Sequence, residues 1–183
     1  MESLQGKLLI ASPELRDPSF FHSVVLMVKH NVEGALGLVL TRPLNVRLPQ
    51  VWDQVSNAEC RRNDLIYLGG PCEGPLMAVH DRAELGETEI SIGLHFSTDR
   101  GALEQLASDP ERLVRFFAGF SGWSEGQLEA ELAEDSWLTL PATSQHVFST
   151  ETDLWDKAMR ELKGREIIDV LKIREIPPDL SAN

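Results

Sequence analysis

Short apolar runs alternate with polar turns along this chain, at intervals too irregular for a repeat. Leu8-Leu9-Ile10-Ala11 is an apolar run stopped by Pro13, which reads as a short buried strand. Residues 23–30 are nearly all apolar and rich in valine, as suits a strand covered on both faces. Asn31-Val32-Glu33-Gly34 supplies turn residues and residues 35–40 are apolar again, so the two runs predict an antiparallel hairpin. Pro43 ends its second strand. Leu48, Val51, Trp52 and Val55 recur at helical spacing. Residues 65–68 predict a strand that stops at Gly69-Gly70-Pro71, and residues 75–80 and 90–94 predict shorter strands. Asp99 is placed to cap a helix over residues 100–107, Asp109-Pro110 stops it, and residues 113–120 fit helix or strand, with Phe116-Phe117 and the closing glycines favouring strand. Ser124 and Gln127 have the spacing of a capping box for a helix whose Leu128 and Leu132 face inward and which ends near Glu134-Asp135. Residues 136–140 predict a strand stopped by Pro141, and residues 153–162 a final helix ended by Gly164. Elements mixed in this order, with no βαβ repeat, predict an α+β fold. The expectation is a single compact domain over residues 1–165, a mixed and largely antiparallel sheet flanked by helices, followed by a C-terminal tail over residues 166–183.

Composition adds limits on partners. The 183 residues are 42% hydrophobic and 25% charged, ordinary values for a globular domain. Lys and Arg total 17 against 29 Asp and Glu, a formal net charge of −12. A surface that acidic favours solubility and argues against phosphate backbones and anionic lipid, which are bound through Lys and Arg. Met1-Glu2-Ser3-Leu4-Gln5 lacks the basic and then apolar pattern of a leader. The longest apolar run, residues 24–28, is far short of the ~18 residues that cross a bilayer. The two cysteines, Cys60 and Cys72, form neither a CxxC nor a disulfide framework, so a reducing cytoplasm is the expected location.

Known reaction chemistries find little support. Gly119-Phe120-Ser121-Gly122-Trp123 resembles a nucleophile elbow, but that motif needs Gly where Trp123 stands. The histidines His22, His30, His80, His95 and His146 include no metal-binding pair at helical spacing, and His30 at a strand end reads as hydrogen-bonded structure. Cys72 is followed by Glu73 and has no cationic neighbour to lower its pKa. No P-loop or GxGxxG is present. The most basic stretches, Arg61-Arg62 and residues 157–165, do not make a recognition helix, and Glu161 interrupts the second. No cofactor and no metal are expected.

What remains is a cluster. Arg42, fixed between a strand end and Pro43, can present a planar fork of donors to an anion. Trp123, Gln127 and Glu131 surround the start of the capped helix, and Gly69, Gly70 and Pro71 offer a third wall. If these strand ends converge they make a small polar crevice with an aromatic side. The alternative is that Arg42 pairs with Asp17 or Glu131 and locks the fold. Asp17, His30, Thr41, Arg42, Gly69, Gly70, Pro71, Trp123, Gln127 and Glu131 are the candidate binding residues.

Several ordered blocks of the chain resemble a known family. Gly6-Lys7-Leu8-Leu9-Ile10-Ala11-Ser12-Pro13, Asp17-Pro18-Ser19-Phe20, Ser23-Val24-Val25-Leu26-Met27 and His30 are similar to the N-terminal signature of the AlgH/YqgE family. Gly34-Ala35-Leu36-Gly37-Leu38-Val39-Leu40-Thr41-Arg42-Pro43-Leu44 and Gly69-Gly70-Pro71 continue it, and Gly119-Phe120-Ser121-Gly122-Trp123 with Gly126-Gln127-Leu128-Glu129-Ala130-Glu131 resembles its C-terminal signature. Thr41 departs from the Asn usual there. The resemblance covers residues 4–162. It implies a compact α+β fold and bacterial cytoplasmic proteins with no settled activity, under a transcriptional-regulator label that does not establish DNA binding.

The expectation is a cytoplasmic binding or regulatory protein, transcription-related regulation being one form, that acts through contacts with an unknown protein partner. A small-molecule sensor or an enzyme using the crevice around Arg42 is the alternative. The charge argues against direct nucleic-acid binding and against membrane association. A crevice with uncompensated polar groups would favour ligand chemistry, and a broad apolar patch a protein partner.

Overall fold

The computed structural model describes residues 2–171, in which ten strands and five helices alternate irregularly. The strands are β1 (Lys7–Ala11), β2 (Val24–Asn31), β3 (Gly34–Val39), β4 (Pro43–Arg47), β5 (Leu65–Leu68), β6 (Cys72–His80), β7 (Thr88–Ser91), β8 (Leu94–Ser97), β9 (Val114–Ser124) and β10 (Trp137–Pro141). The helices are α1 (Leu48–Val55), α2 (Arg100–Ser108), α3 (Gln127–Ala133), α4 (Ser144–Phe148) and α5 (Leu154–Leu171). The sheet order is β10-β1-β2-β3-β9-β6-β8-β7, with β4 paired to β5 and β5 to β9. All pairs are antiparallel except β5 with β9. The fold is therefore α+β, a curled half-barrel sheet with helices on it, and the sheet dominates more than a flanked-sheet expectation suggests.

The curl follows from side-chain alternation on long strands. Leu8, Ile10, Leu26, Leu38, Met77, Val79, Phe96 and Phe117 point inward and form one buried cluster, which Leu154 and Ala158 of α5 and Val147 of α4 cover. On the outer surface α3 packs with Trp123 and Trp137 on Leu9, Val25 and Val39. Helices α1 and α2 pack on Ile66, Ala78 and Phe116. The far strand β7 comes round to the chain start, where the Gln5 side-chain amide donates to the Glu89 carbonyl at 2.8 Å.

Strand β9 organises the molecule. One of its edges pairs first with β5 through residues 116–118 and then with β3 through residues 121–124. The change of partner falls at Gly119, whose φ is +72°. There Gly69 joins both neighbours: its N–H donates to Ala118 O at 2.9 Å and its carbonyl accepts from Val39 N–H at 2.8 Å.

The hairpin through residues 31–34, the helix capped by Asp99 and the strands at residues 8–11, 65–68 and 136–140 form as the sequence predicts. Three readings are corrected. Residues 90–94 are the end of β7, a turn with Ile92 97% exposed and Gly93 at φ +76°, and the start of β8. Ser124 ends β9 and does not cap α3; Gly126, at φ 72°, occupies the cap position, and Gln127 accepts from the Ser124 backbone N–H at 3.1 Å. Gly164 does not end the last helix, because it lacks the left-handed conformation that stops a helix; α5 runs through residue 165 to Leu171. Residues 172–183, most of the expected tail, lie outside the described residues. Strand β4 and helix α4 were not foreseen, although Thr143 and His146 cap α4 reciprocally, at 3.3 and 3.2 Å.

Candidate functional site

The candidate residues divide between two adjoining clefts and the core. Asp17, Pro71, Trp123, Gln127 and Glu131 line a cleft of about 330 Å3 together with Phe20 and Trp137. Glu131 is its centre. The indole N–H groups of Trp123 and Trp137 both donate to Glu131 Oε2, at 2.9 and 2.8 Å, and the Gln127 amide donates to Oε1 at 3.0 Å. Phe20 stacks on Trp123 with centroids 5.9 Å apart and meets Trp137 edge-on at 5.3 Å. These contacts fix α3 to β9 and β10 and occupy the carboxylate from within the protein.

Arg42 does not join this cluster. It lines a smaller cleft, about 140 Å3, with Pro18, Gly70 and Pro71, and the two clefts share only Pro71. Its Nη2 donates to the Phe21 carbonyl at 2.5 Å. Among the described residues neither Arg42 nor Glu131 takes part in an ion pair, so the expected clamp to Asp17 or Glu131 is absent there. Asp17 instead caps its own turn, accepting from Ser19 N–H at 2.8 Å. Thr41 extends the β2–β3 ladder, its hydroxyl accepting from Val24 N–H at 3.3 Å. His30 is buried and lines neither cleft: Nδ1 accepts from Leu4 N–H at 3.0 Å, which leaves Nε2 to donate to Glu129 at 3.0 Å.

The structure adds a site that the sequence reading missed. A cleft of about 490 Å3 is lined by Arg47, Arg62, Arg112 and Arg115, with Tyr67 and Thr150 among its other walls. These basic residues gather on a chain whose net charge is −12. Arg62 is occupied: it binds Asp64 with both arms, at 2.8 and 3.3 Å, and donates to the Asp109 and Arg112 carbonyls at 2.5 and 3.1 Å. Asp64 is also the one carboxylate in the lining.

Arg115 is different. It shares the inward face of β9 with Phe117, at the rim of the curl, and is only 5% exposed. Its guanidinium donates to Leu40 O at 3.3 Å and to Ser149 O, and its carbon lies 4.1 Å from the Tyr67 ring centroid. Among the described residues no carboxylate lies within ion-pair distance of it. Burial pushes its pKa down from the ordinary arginine range, and Tyr67 partly opposes that shift. Arg47 is exposed and gives Nη1 to Asn63 O at 2.6 Å, and the nearest carboxylates to Arg112, Asp81 and Asp109, stand 3.9 Å away. Planar guanidinium forks with unspent donors suit phosphate or carboxylate groups. A buried arginine normally has a partner, since an uncompensated buried charge is costly.

Ser121 and His80 are committed to hydrogen bonds within the protein. The Ser121 hydroxyl is buried and donates to Gly69 O at 3.1 Å. Cys60 and Cys72 are free thiols. His80 bonds Ser97 Oγ at 3.0 Å and accepts from Arg82 N–H at 3.2 Å; burial, helped by nearby His95, lowers its pKa to about 4. Among the described residues no group of His, Cys, Asp or Glu is arranged to hold a metal ion. No described helix is long and apolar enough to cross a membrane.

Comparison with known proteins places the chain. A family model described as AlgH-like matches residues 8–166. The protein UPF0301 CT0663 of Chlorobaculum tepidum is 37% identical over 179 residues, covering 94% of this chain and 93% of the relative. A UPF0301 protein of Myxococcus xanthus is 38% identical, covering 87% and 91%. The solution structure of AlgH from Pseudomonas aeruginosa superposes with a TM-score of 0.75 at 31% identity, over 95% of this chain and 96% of that one. The crystal structure of DIP2367 from Corynebacterium diphtheriae shares the fold, with a TM-score of 0.69 at 24% identity over 88% and 87% of the two chains. With the family's signatures carried by the strands and turns described above, this chain belongs to the AlgH-like family.

Proposed function

We propose that this protein is a non-enzymatic binding module that takes an anionic ligand in the arginine cleft and reports its occupancy to a protein partner. The observation that carries this reading is Arg115, a buried guanidinium at a cleft whose one lining carboxylate, Asp64, is held by Arg62. An anion there would supply the missing counter-charge, and Arg47 and Arg112 would close on it from the rim. The cleft volume, about 490 Å3, falls within the range of small-molecule sites, whereas the cleft at Arg42, about 140 Å3, falls below it. No nucleophile paired with a base lines the arginine cleft among the described residues, which supports binding over catalysis.

Regulation would run through the segment after α4. The Ser149 carbonyl accepts from Arg115, and Thr150 and Thr152 line the cleft, so an anion competing for that guanidinium would loosen or reset residues 149–152. Any transcription-related role would then pass through a protein contact, since a confined cleft on a chain of net charge −12 is not a strip that tracks nucleic acid. Free thiols suit a reducing cytoplasm as the place of action.

The test is a melting screen against small anions at constant ionic strength. For at least one anion Tm is expected to rise with the logarithm of concentration above Kd, a stabilisation of about 2.7 kcal/mol at a hundredfold excess, and that rise is expected to be lost in Arg47→Ala and Arg112→Ala. If no anion gives a rise that grows with its concentration at constant ionic strength, the proposal fails.

A further inference from the structure

The arginine cleft does not end at its arginines. A second cleft of about 740 Å3 adjoins it, and the two share Leu113, Phe148 and Thr150. They form one groove beneath the α4–α5 segment, with an apolar ridge at its middle. Leu113 on that ridge is 49% exposed, so it offers an apolar surface that a ligand could bury.

The two ends differ in charge. The first presents Arg47, Arg112 and Arg115. At the second, Lys157 is paired with Glu151, and Glu161 is held on both oxygens, Oε2 meeting His146 Nε2 at 3.0 Å and Oε1 accepting from Arg165 at 2.8 Å. That end offers no unspent cation for another phosphate. It offers neutral donors and acceptors, Ser144 and Gln145 among them. The groove thus asks for a molecule with one anionic head and an uncharged, hydrogen-bonding body large enough to pass the ridge.

We propose that the groove binds a nucleoside monophosphate, its phosphate on Arg47, Arg112 and Arg115 and its base against Leu113 and Phe148. This deepens the anion-binding reading and depends on it. A second or third phosphate would have to lie nearer Glu151 and Glu161, so the monophosphate is preferred to the triphosphate of the same base.

Calorimetric titration of the full chain tests it, with AMP, GMP, CMP and UMP, the matching triphosphates, ribose 5-phosphate and inorganic phosphate as probes. At least one nucleoside monophosphate is expected to bind about tenfold or more tighter than ribose 5-phosphate and inorganic phosphate, the discrimination one apolar wall provides. Leu113→Ala, whose fold is checked by circular dichroism, should lose most of that advantage and leave inorganic phosphate unchanged. Arg112→Ala should weaken both. If ribose 5-phosphate or inorganic phosphate binds as tightly as every nucleotide, if triphosphates bind more tightly, or if Leu113→Ala changes nothing, the nucleotide inference is overturned while the anion site stands. If no phosphate compound binds but another anion does, the inference likewise falls. If no anion binds at all, both fall together.

Discussion

Gly69 passes so close to Gly119 that a Cβ on Gly69 would stand 2.2 Å from the Gly119 carbonyl oxygen. No side-chain rotation relieves that contact, because the obstacle is backbone. Gly69→Ala is therefore expected to cost about 3 kcal/mol, the upper range for overpacking. Gly93, in the β7–β8 turn, also has a positive φ, +76°, but has nothing within 4 Å of its notional Cβ. Gly93→Ala should cost about 1 kcal/mol, from backbone strain alone. Urea denaturation of both variants reads the difference, and equal midpoints would show that the crossing is not tight.

Glu131 holds three donors, two of them on nearly buried indoles. Glu131→Ala leaves those N–H groups without an acceptor and should cost about 3 kcal/mol. Glu131→Gln keeps one carbonyl oxygen and should cost about 1 kcal/mol. Tryptophan emission, followed through denaturation, is expected to shift to the red in the alanine variant. An unchanged Tm for Glu131→Ala would return this carboxylate to the roll of candidate ligand contacts.

His80 makes stability depend on acid. Its pKa is about 4 in the folded chain against an ordinary 6.5, so between those values the unfolded chain binds more protons. The contribution of neutral His80 is complete above about pH 6.5, declines as pH falls, and is gone below about pH 4. The slope approaches about 1.4 kcal/mol per pH unit within that window. Carboxylates add slopes of their own, so the measurement is the difference between wild type and His80→Gln. That difference should vary with pH between 4 and 6.5 and be flat above. A difference constant across the window would place the proton elsewhere.

Gly164 lies inside α5 with open space where a Cβ would be. Gly164→Ala should raise stability by about 0.5–1 kcal/mol, from helix propensity. Thermal melting checks the sign; a loss would mean that the helix needs the flexibility of that position.

The strands were legible where the local pattern and the tertiary role agree. Residues 23–28 are buried on both faces, and their continuous valine-rich run says so, while Lys29 after it is exposed. Residues 90–94 misled because Ile92 looks like a strand residue and is instead a bare turn residue beside Gly93, whose conformation the apolar pattern does not encode. Of the candidate site, Trp123, Gln127 and Glu131 come together because they neighbour one turn and one helix, and Asp17 joins them through its own loop, whose Phe20 packs on Trp123 and Trp137. Arg42 lines the adjoining cleft instead, held by a backbone carbonyl, Phe21 O, and backbone acceptors leave no mark in a sequence. The arginine cleft was out of reach for a related reason: Arg47, Arg62, Arg112 and Arg115 are scattered and form no charge run. One signal was available. Arg115 interrupts an otherwise apolar strand, and a lone arginine there needs an explanation.

Strand β1 lies between β2 and β10, with Lys7 opposite Pro141. During synthesis, therefore, residue 7 waits for residue 141 to leave the ribosome before its second edge is covered. Until then the apolar stretch Leu8-Leu9-Ile10 keeps one row of peptide groups unpaired, a template for wrong partners. Folding of this chain should be slow for its size, governed by an end-to-end meeting that no local contact can hasten.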